Sequence, residues 1–191
     1  ITVHSSLYSK TREEFLENLF KVAPKNLSHV HLNNSGAEAI EAGMKFARKF
    51  TGKTEMVAMN GSYHGKTLGA LSITFNPKYR KAFKPLVEKV SFSPFGDIEK
   101  LREIVNDQTA FVILEPIQGE SGIHVAPDGF LQDVRKLCDE KGILLIFDEI
   151  QAGLGRTGKM WAHQHWDTAP DILCLAKGIA GGVPMGATLV K

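Results

Sequence analysis

Four short apolar runs, "EMVAMN", "AFVILE", "ILLIFD" and "DILCLA", constrain this chain more than any other feature. A strand that is apolar on both faces has to be covered on both faces, which is the situation of parallel strands joined by helical crossovers. The intervening segments carry the helical period. "TREEFLENLFKV" places Phe15, Leu16, Leu19 and Phe20 on one face behind a Thr11/Glu14 capping box. "NSGAEAIEAGMKFARKF" repeats Ala39, Gly43 and Ala47 with Ile40, Met44 and Phe46, small residues that suit close packing. "DIEKLREIVN" reads as a helix, and so does "DGFLQDVRKLCDEKG", with Asp128 as cap, Phe130, Leu131, Val134, Leu137 and Cys138 inward and Gly142 as stop. "HVHLNN" is a further short strand. The expected class is α/β, a mostly parallel sheet sandwiched by helices. With 191 residues, 43% of them hydrophobic, the chain suffices for one such core and is short for two.

Charge and composition exclude several functions. Acids and bases are interspersed and the net charge is +2, so nothing forms the basic stripe of a nucleic-acid binder. No apolar run approaches the roughly 18 residues of a membrane span, and "ITVHSSLYSKTREE" has the pattern of neither a signal nor a transit peptide. A cytoplasmic location is expected. Cys138 and Cys174 lack CxxC spacing and read as reduced and buried; the His163/His165 pair has no companion ligand cluster, so no metal is expected. The chain begins at Ile1 and stops at Lys191 inside the strand-like "MGATLVK", so residues 1–191 are expected to be one cofactor-binding large domain, a segment of something longer.

Ligands of parallel α/β sheets collect at the carboxyl ends of the strands. Ser35 and Gly36 follow "HVHL", Tyr63 and His64 follow "EMVAMN", Glu115 follows "AFVIL", Asp148 ends "ILLIFD", and Lys177 follows "DILCLA". All would share one rim. Period-two geometry puts Asp148 and Ile150 on one side of the chain, Phe147 and Glu149 on the other. The amides of "NNSGAEA", at a helix start, form a phosphate cradle with the Ser35 hydroxyl.

Two nucleotide motifs are near misses. "GLGRTGKM" has Met160 where a P-loop needs a hydroxyl for Mg²⁺, and it follows the acidic strand directly; "GIAGG" does not match GxGxxG. A phosphate cradle, an aromatic ring, an acid beside an apolar residue and an isolated lysine instead describe the needs of pyridoxal phosphate.

"NNSGAEAIEAGMKFAR", "GSYHGKTLGALS", "VILEPIQGESG", "LLIFDEIQAGLGRTGKMWA" and "PDILCLAKGIAGGVPMGA" resemble the class III, fold-type-I aminotransferases, the group of acetylornithine, ornithine, 4-aminobutyrate and putrescine aminotransferases. The likeness runs in order from Asn33 almost to the end, and "FDEIQ" with "LAKG" is its most specific pairing. It implies the large domain of a fold-type-I pyridoxal-phosphate transferase. Lys177 matches the Schiff-base lysine that also moves the substrate proton, and Asp148 matches the acid on the pyridine nitrogen. Gln151 matches the amide at the phenolic oxygen, Tyr63 and Ile150 the ring-stacking positions, and Ser35, Gly36 and Ala37 the phosphate turn. Glu120 matches a glutamate that pairs in relatives with an arginine late in the chain, and no such arginine lies in these residues. Glu115 is read as ordering neighbouring loops, with substrate contact the alternative, His64 as a supporting or satisfied polar residue and not a catalyst, and Gly153, Gly155 and Gly158 as turn formers.

The resemblance further implies an aminotransferase that moves the terminal amino group of an ω-amino substrate to 2-oxoglutarate, in a homodimer with the active site at its interface. Many relatives carry "HGRT", with the arginine on the substrate carboxylate; this chain has "HGKT" and places Lys66 there. Lysine is a point charge without the bidentate fork. An acetylornithine- or ornithine-like substrate is favoured, since a cation beside a diamine is mildly repulsive. Putrescine or 4-aminobutyrate is the alternative, and an aminomutase or a non-catalytic cofactor-binding fragment a more remote one.

Overall fold

The computed structural model describes residues 6–191. Its elements follow the alternation: α1 (Lys10–Val22), β1 (His29–Asn33), α2 (Gly36–Thr51), β2 (Glu55–Met59), the short helices α3 (Leu68–Ser72) and α4 (Pro77–Arg80), β3 (Val90–Ser93), α5 (Ile98–Ile104), β4 (Thr109–Leu114), the two-residue strands β5 (Ile117–Gln118) and β6 (His124–Val125), α6 (Phe130–Lys141), β7 (Leu144–Asp148), β8 (Ile172–Leu175) and β9 (Gly186–Val190). Seven strands form one sheet in the order β1-β9-β8-β7-β4-β2-β3. β3, β2, β4, β7 and β8 are mutually parallel, while β9 runs antiparallel to both β8 and β1. β5 and β6 pair separately as a small antiparallel ladder.

The continuous apolar strands divide their side chains between two cores. Val112 and Leu114 of β4, Leu145 and Phe147 of β7, and Leu173 and Leu175 of β8 join Leu101 of α5 and Phe130, Leu131, Val134 and Leu137 of α6. Phe111, Ile113, Ile146, Ile172 and Cys174 turn the other way, against Ala39, Ile40, Met44 and Ala47 of α2. This is the period of two acting inside uninterrupted hydrophobic runs. α2 sits close to the sheet: a Cβ on Gly43 would lie 3.2 Å from Cys174 Sγ, and the Ala39 carbonyl accepts from Thr188 Oγ1 at 2.8 Å.

Three local expectations are corrected. α1 is capped by Ser9, whose side chain accepts from Arg12 N–H, so Thr11 lies inside the helix; the extended backbone that a cap requires occurs at Ser9. α6 is preceded by Gly129 at φ 80°, with no side-chain cap from Asp128, because the chain enters the helix through a left-handed turn that glycine accepts. Phe46 is 38% exposed at the edge of α2's buried face. Cys138 and Cys174 are unpaired and buried. Among the described residues no helix is long and apolar enough to cross a membrane.

Candidate functional site

The carboxyl ends of the strands open on a cavity of about 280 Å³. Its wall is built from Gly36, Ala37, Tyr63, His64, Lys66, Glu115, Glu120, Asp148, Ile150, Gln151 and Lys177, with Gly65. Every side chain expected at this rim is there except Ser35.

Ser35 is the N-cap of α2. Its Oγ accepts Glu38 N–H and donates to Glu38 Oε2, each at 3.2 Å, and Glu38 in turn accepts Asn34 N–H at 2.8 Å. This capping box engages the Ser35 hydroxyl that the sequence assigns to a phosphate. Gly36 and Ala37 remain at the wall, where first-turn amides have no intrahelical partner and the helix dipole favours an anion. Ile150 presses against this turn: a Cβ on Gly36 would meet its Cδ1 at 2.9 Å.

Asp148, at the end of β7, is 4% exposed. Its Oδ1 accepts Ile150 N–H at 3.0 Å, and its Oδ2 lies 2.7 Å from Nδ1 of the buried His64. Because an ionised carboxylate only accepts, the proton of that bond belongs to Nδ1. Glu149 points to the opposite side, as the alternation predicts, and accepts the N–H groups of Ala162 and His163 and the His163 ring. His163 is thereby a structural anchor, and His165 contacts Thr157. Among the described residues no group of three His, Cys, Asp or Glu could hold a metal.

Glu115 ties two loops of the site together, since its Oε1 accepts Tyr63 N–H at 2.9 Å and its Oε2 accepts Gly119 N–H at 3.3 Å. Burial pushes its carboxyl up to about 7, with the charge of Asp148 adding to the shift and His64 and the two amides opposing it. Gly119 has its own constraint. A Cβ there would fall 1.4 Å from Gln151 Oε1, so the Gln151 amide lies directly over the glycine. The sequence suggested supporting roles for Glu115 and His64 but did not name their partners, Gly119 beneath Gln151 for the one and Asp148 for the other; the only local signal was a histidine and a glutamate each just past a strand end.

Tyr63 packs edge-on against Tyr79 with centroids 5.6 Å apart, and Lys66 Nζ stands 5.9 Å from the Tyr79 centroid. Lys66, Glu120 and Gln151 are exposed. Lys177 is exposed too, and its backbone is left-handed at φ 48°. A non-glycine residue there costs of order 1 kcal/mol and is a feature of functional sites. Gly155 and Gly158 have φ of 82° and 92°, whereas Gly153 has no left-handed backbone and is small for another reason: a Cβ would stand 2.8 Å from the Glu149 carbonyl.

The geometry joins the N-terminus of α2, a buried carboxylate, an aromatic ring and a primary amine in one cavity. Residues 1–191 match the family described as Aminotransferase class-III. The acetylornithine aminotransferase of Methanopyrus kandleri is 49% identical over 184 residues, 96% of this chain and 47% of that protein. The LysW-aminoadipate semialdehyde/glutamate semialdehyde transaminase of Sulfurisphaera tokodaii is 44% identical over 98% of this chain and 48% of its own length. Among solved structures, an ornithine aminotransferase from Toxoplasma gondii, with PLP at partial occupancy in its active site, superposes with a TM-score of 0.91 at 32% identity, covering 100% of this chain and 46% of the other. The chain spans about half the length of the relatives it matches.

Proposed function

The chain belongs to the class-III aminotransferases, and from that premise we propose that it is the cofactor-binding large domain of a pyridoxal-phosphate-dependent enzyme that transfers the terminal amino group of an acetylornithine- or ornithine-like amine to 2-oxoglutarate. The observation that carries this reading is the meeting of Lys177, Asp148 and the α2 N-terminus in one cavity. Those groups fit the cofactor: the free first-turn amides of Gly36 and Ala37 suit its phosphate, the buried Asp148 carboxylate suits a protonated ring nitrogen, and Tyr63 and Ile150 offer faces to a flat ring. Gln151 suits its phenolic oxygen.

When bound, pyridoxal phosphate withdraws electrons from the substrate carbon that loses its proton. Asp148, buried and held by Ile150 N–H and His64, offers a carboxylate at a fixed place, where a preorganised charge would stabilise a cation more than in bulk solvent. Lys177, on the cavity wall, would be the covalent attachment point and then the base and acid for the substrate proton. Lys66 supplies a cation for a substrate carboxylate, and Glu120, exposed on the same wall, offers a carboxylate to the alternating substrates. The names of the relatives, acetylornithine aminotransferase among them, support an ω-amino donor that bears a carboxylate. A homodimer completing the site across its interface, and a cytoplasmic location, belong to the same reading.

The test is chemical. Protein loaded with pyridoxal phosphate is reduced with borohydride and digested; the cofactor is expected on the peptide containing Lys177, and a label on another lysine overturns the assignment. Loaded protein is then mixed separately with acetylornithine, ornithine, 4-aminobutyrate, putrescine and alanine while its visible band is followed. Fast bleaching by acetylornithine or ornithine supports the proposed donor class. Bleaching by putrescine alone selects the diamine alternative, and bleaching by alanine alone overturns the ω-amino assignment.

A further inference from the structure

The short helix that follows Lys66 is capped from a distant part of the chain. Thr67 occupies the N-cap of α3 with extended backbone, yet its side chain caps nothing there. Its hydroxyl donates instead to Glu41 Oε1 of α2 at 2.6 Å, and the same oxygen accepts the N–H groups of Gly69 at 2.9 Å and Ala70 at 3.1 Å. Those are the amides that an N-cap side chain ordinarily takes. A carboxylate 26 positions before Thr67 has replaced it. The close approach also accounts for Gly69, since a Cβ there would stand 2.7 Å from Glu41 Cδ.

Lys66 stands between two points fixed on α2. On one side is Gly65, with φ 131° and so close to the helix that a Cβ would meet that of Ala37 at 2.8 Å; on the other is Thr67, bonded to Glu41. Ala37 and Glu41 are one helical turn apart and share a face of α2, and Ala37 lines the cavity. One face of one helix therefore sets both the cavity wall and the chain segment that carries the Lys66 ammonium. The Lys66 side chain is exposed, with Nζ 5.9 Å from the Tyr79 centroid. Because a lysine is a point charge on a flexible stem, what it reaches is decided by where its backbone is held.

We propose that Glu41 is a positioning residue for donor recognition: it holds Thr67 and the start of α3 on α2, and so fixes the point from which Lys66 meets the carboxylate of the amine donor. The proposal rests on the reading that Lys66 meets such a carboxylate. Its signature is that Glu41 acts through Lys66 on KM and leaves the chemical step alone. The oxygen of Glu41 matters more than its charge, because all three bonds fall on Oε1 and a glutamine in its place keeps an accepting oxygen there.

KM and kcat of the full-length protein loaded with pyridoxal phosphate are measured with acetylornithine and ornithine, in wild type, Glu41→Ala, Glu41→Gln, Lys66→Ala and the combination of Glu41→Ala with Lys66→Ala. Glu41→Ala is expected to raise KM about fivefold or more, a part of what losing the ammonium itself causes, with kcat little altered. Once Lys66 is alanine, the same change should move KM by less than about twofold, since residues that serve one contact are not additive. Glu41→Gln should recover most of the loss. An unchanged KM in Glu41→Ala, an effect that simply multiplies with that of Lys66→Ala, or no recovery in Glu41→Gln overturns the proposal in favour of a merely structural cap. Lys66→Ala with an unchanged KM, or wild type that uses neither amine, overturns the donor reading and the proposal with it. Thermal unfolding of each variant is recorded alongside. Should Glu41→Ala fail to fold, Thr67→Val, which removes one bond at an exposed position, takes its place in the cycle, and an unchanged KM or an additive effect there overturns the role.

Discussion

Gly186 opens β9 directly against the carbonyl of Ser35, so closely that a Cβ on Gly186 would stand 2.4 Å from the Ser35 oxygen and 2.9 Å from its carbonyl carbon. Both contacts are to backbone, and the backbone in question is the cap of α2. β9 is therefore the strand against which the N-terminal turn of α2 is set. Gly186→Ala should force the two segments apart and lower stability by about 1–3 kcal/mol, the cost of overpacking. Urea denaturation reads this directly, and an unchanged midpoint with an unchanged slope counts against the close fit.

Asp148→Asn keeps nearly the same shape but has one oxygen where the carboxylate meets both Ile150 N–H and His64 Nδ1, so the chain should fold with a modestly lower melting temperature. It removes the charge. Turnover with the preferred amine should fall at least about a hundredfold, the scale of losing a preorganised electrostatic group. Stopped-flow comparison with wild type is the check, and near-normal turnover removes Asp148 from the chemistry.

Lys66 separates donor classes. Lysine 66 to alanine, Lys66→Ala, should raise KM for a carboxylate-bearing amine by an amount equivalent to about 1.5–3 kcal/mol, with kcat little altered. Putrescine, which has no carboxylate, should be unaffected by the same change. A uniform loss for both substrates would point to the contact with Tyr79 as the residue's real contribution.

Glu115 links stability to pH. Its carboxyl is raised from 4.5 to about 7 in the fold, so the native state binds a proton that the unfolded chain has released. Stability from this group is complete below about 4.5, declines as pH rises through about 7, and is flat above. Glu115→Gln should flatten that decline. Urea midpoints at pH 5, 6, 7 and 8 for both proteins test it, and parallel curves defeat the assignment.

Burial pushes the Cys138 thiol up to about 12 and the Cys174 thiol well above its ordinary range. Neither should form thiolate near neutrality. In the folded protein an aromatic disulfide reagent at pH 8 is expected to label neither, and in urea both; rapid labelling of either in native conditions would mean that its strand or helix opens locally.

The amino-acid order alone specified the layers and the rim. Uninterrupted apolar runs demand cover on both faces, helical spacing supplies that cover, and parallel strands carry whatever follows them to one edge; Tyr63, Asp148 and Lys177 could be brought together on that basis because strand direction is a local property. Caps were harder to read from pattern. Ser9 and Gly129, not Thr11 and Asp128, begin their helices, since a cap is decided by the backbone angle at which the chain arrives. What the tertiary structure decided was pairing across the sheet. β9 comes back antiparallel beside β8 and seats Gly186 on Ser35, Glu38 takes the Ser35 hydroxyl, and Glu115 reaches both Tyr63 and Gly119. His64 and Asp148 are 84 positions apart and meet at 2.7 Å. Periodicity states which face a residue occupies, but a hydrogen bond needs atoms within about 3 Å, and that distance is set by how neighbouring strands are staggered and how their loops close over the rim.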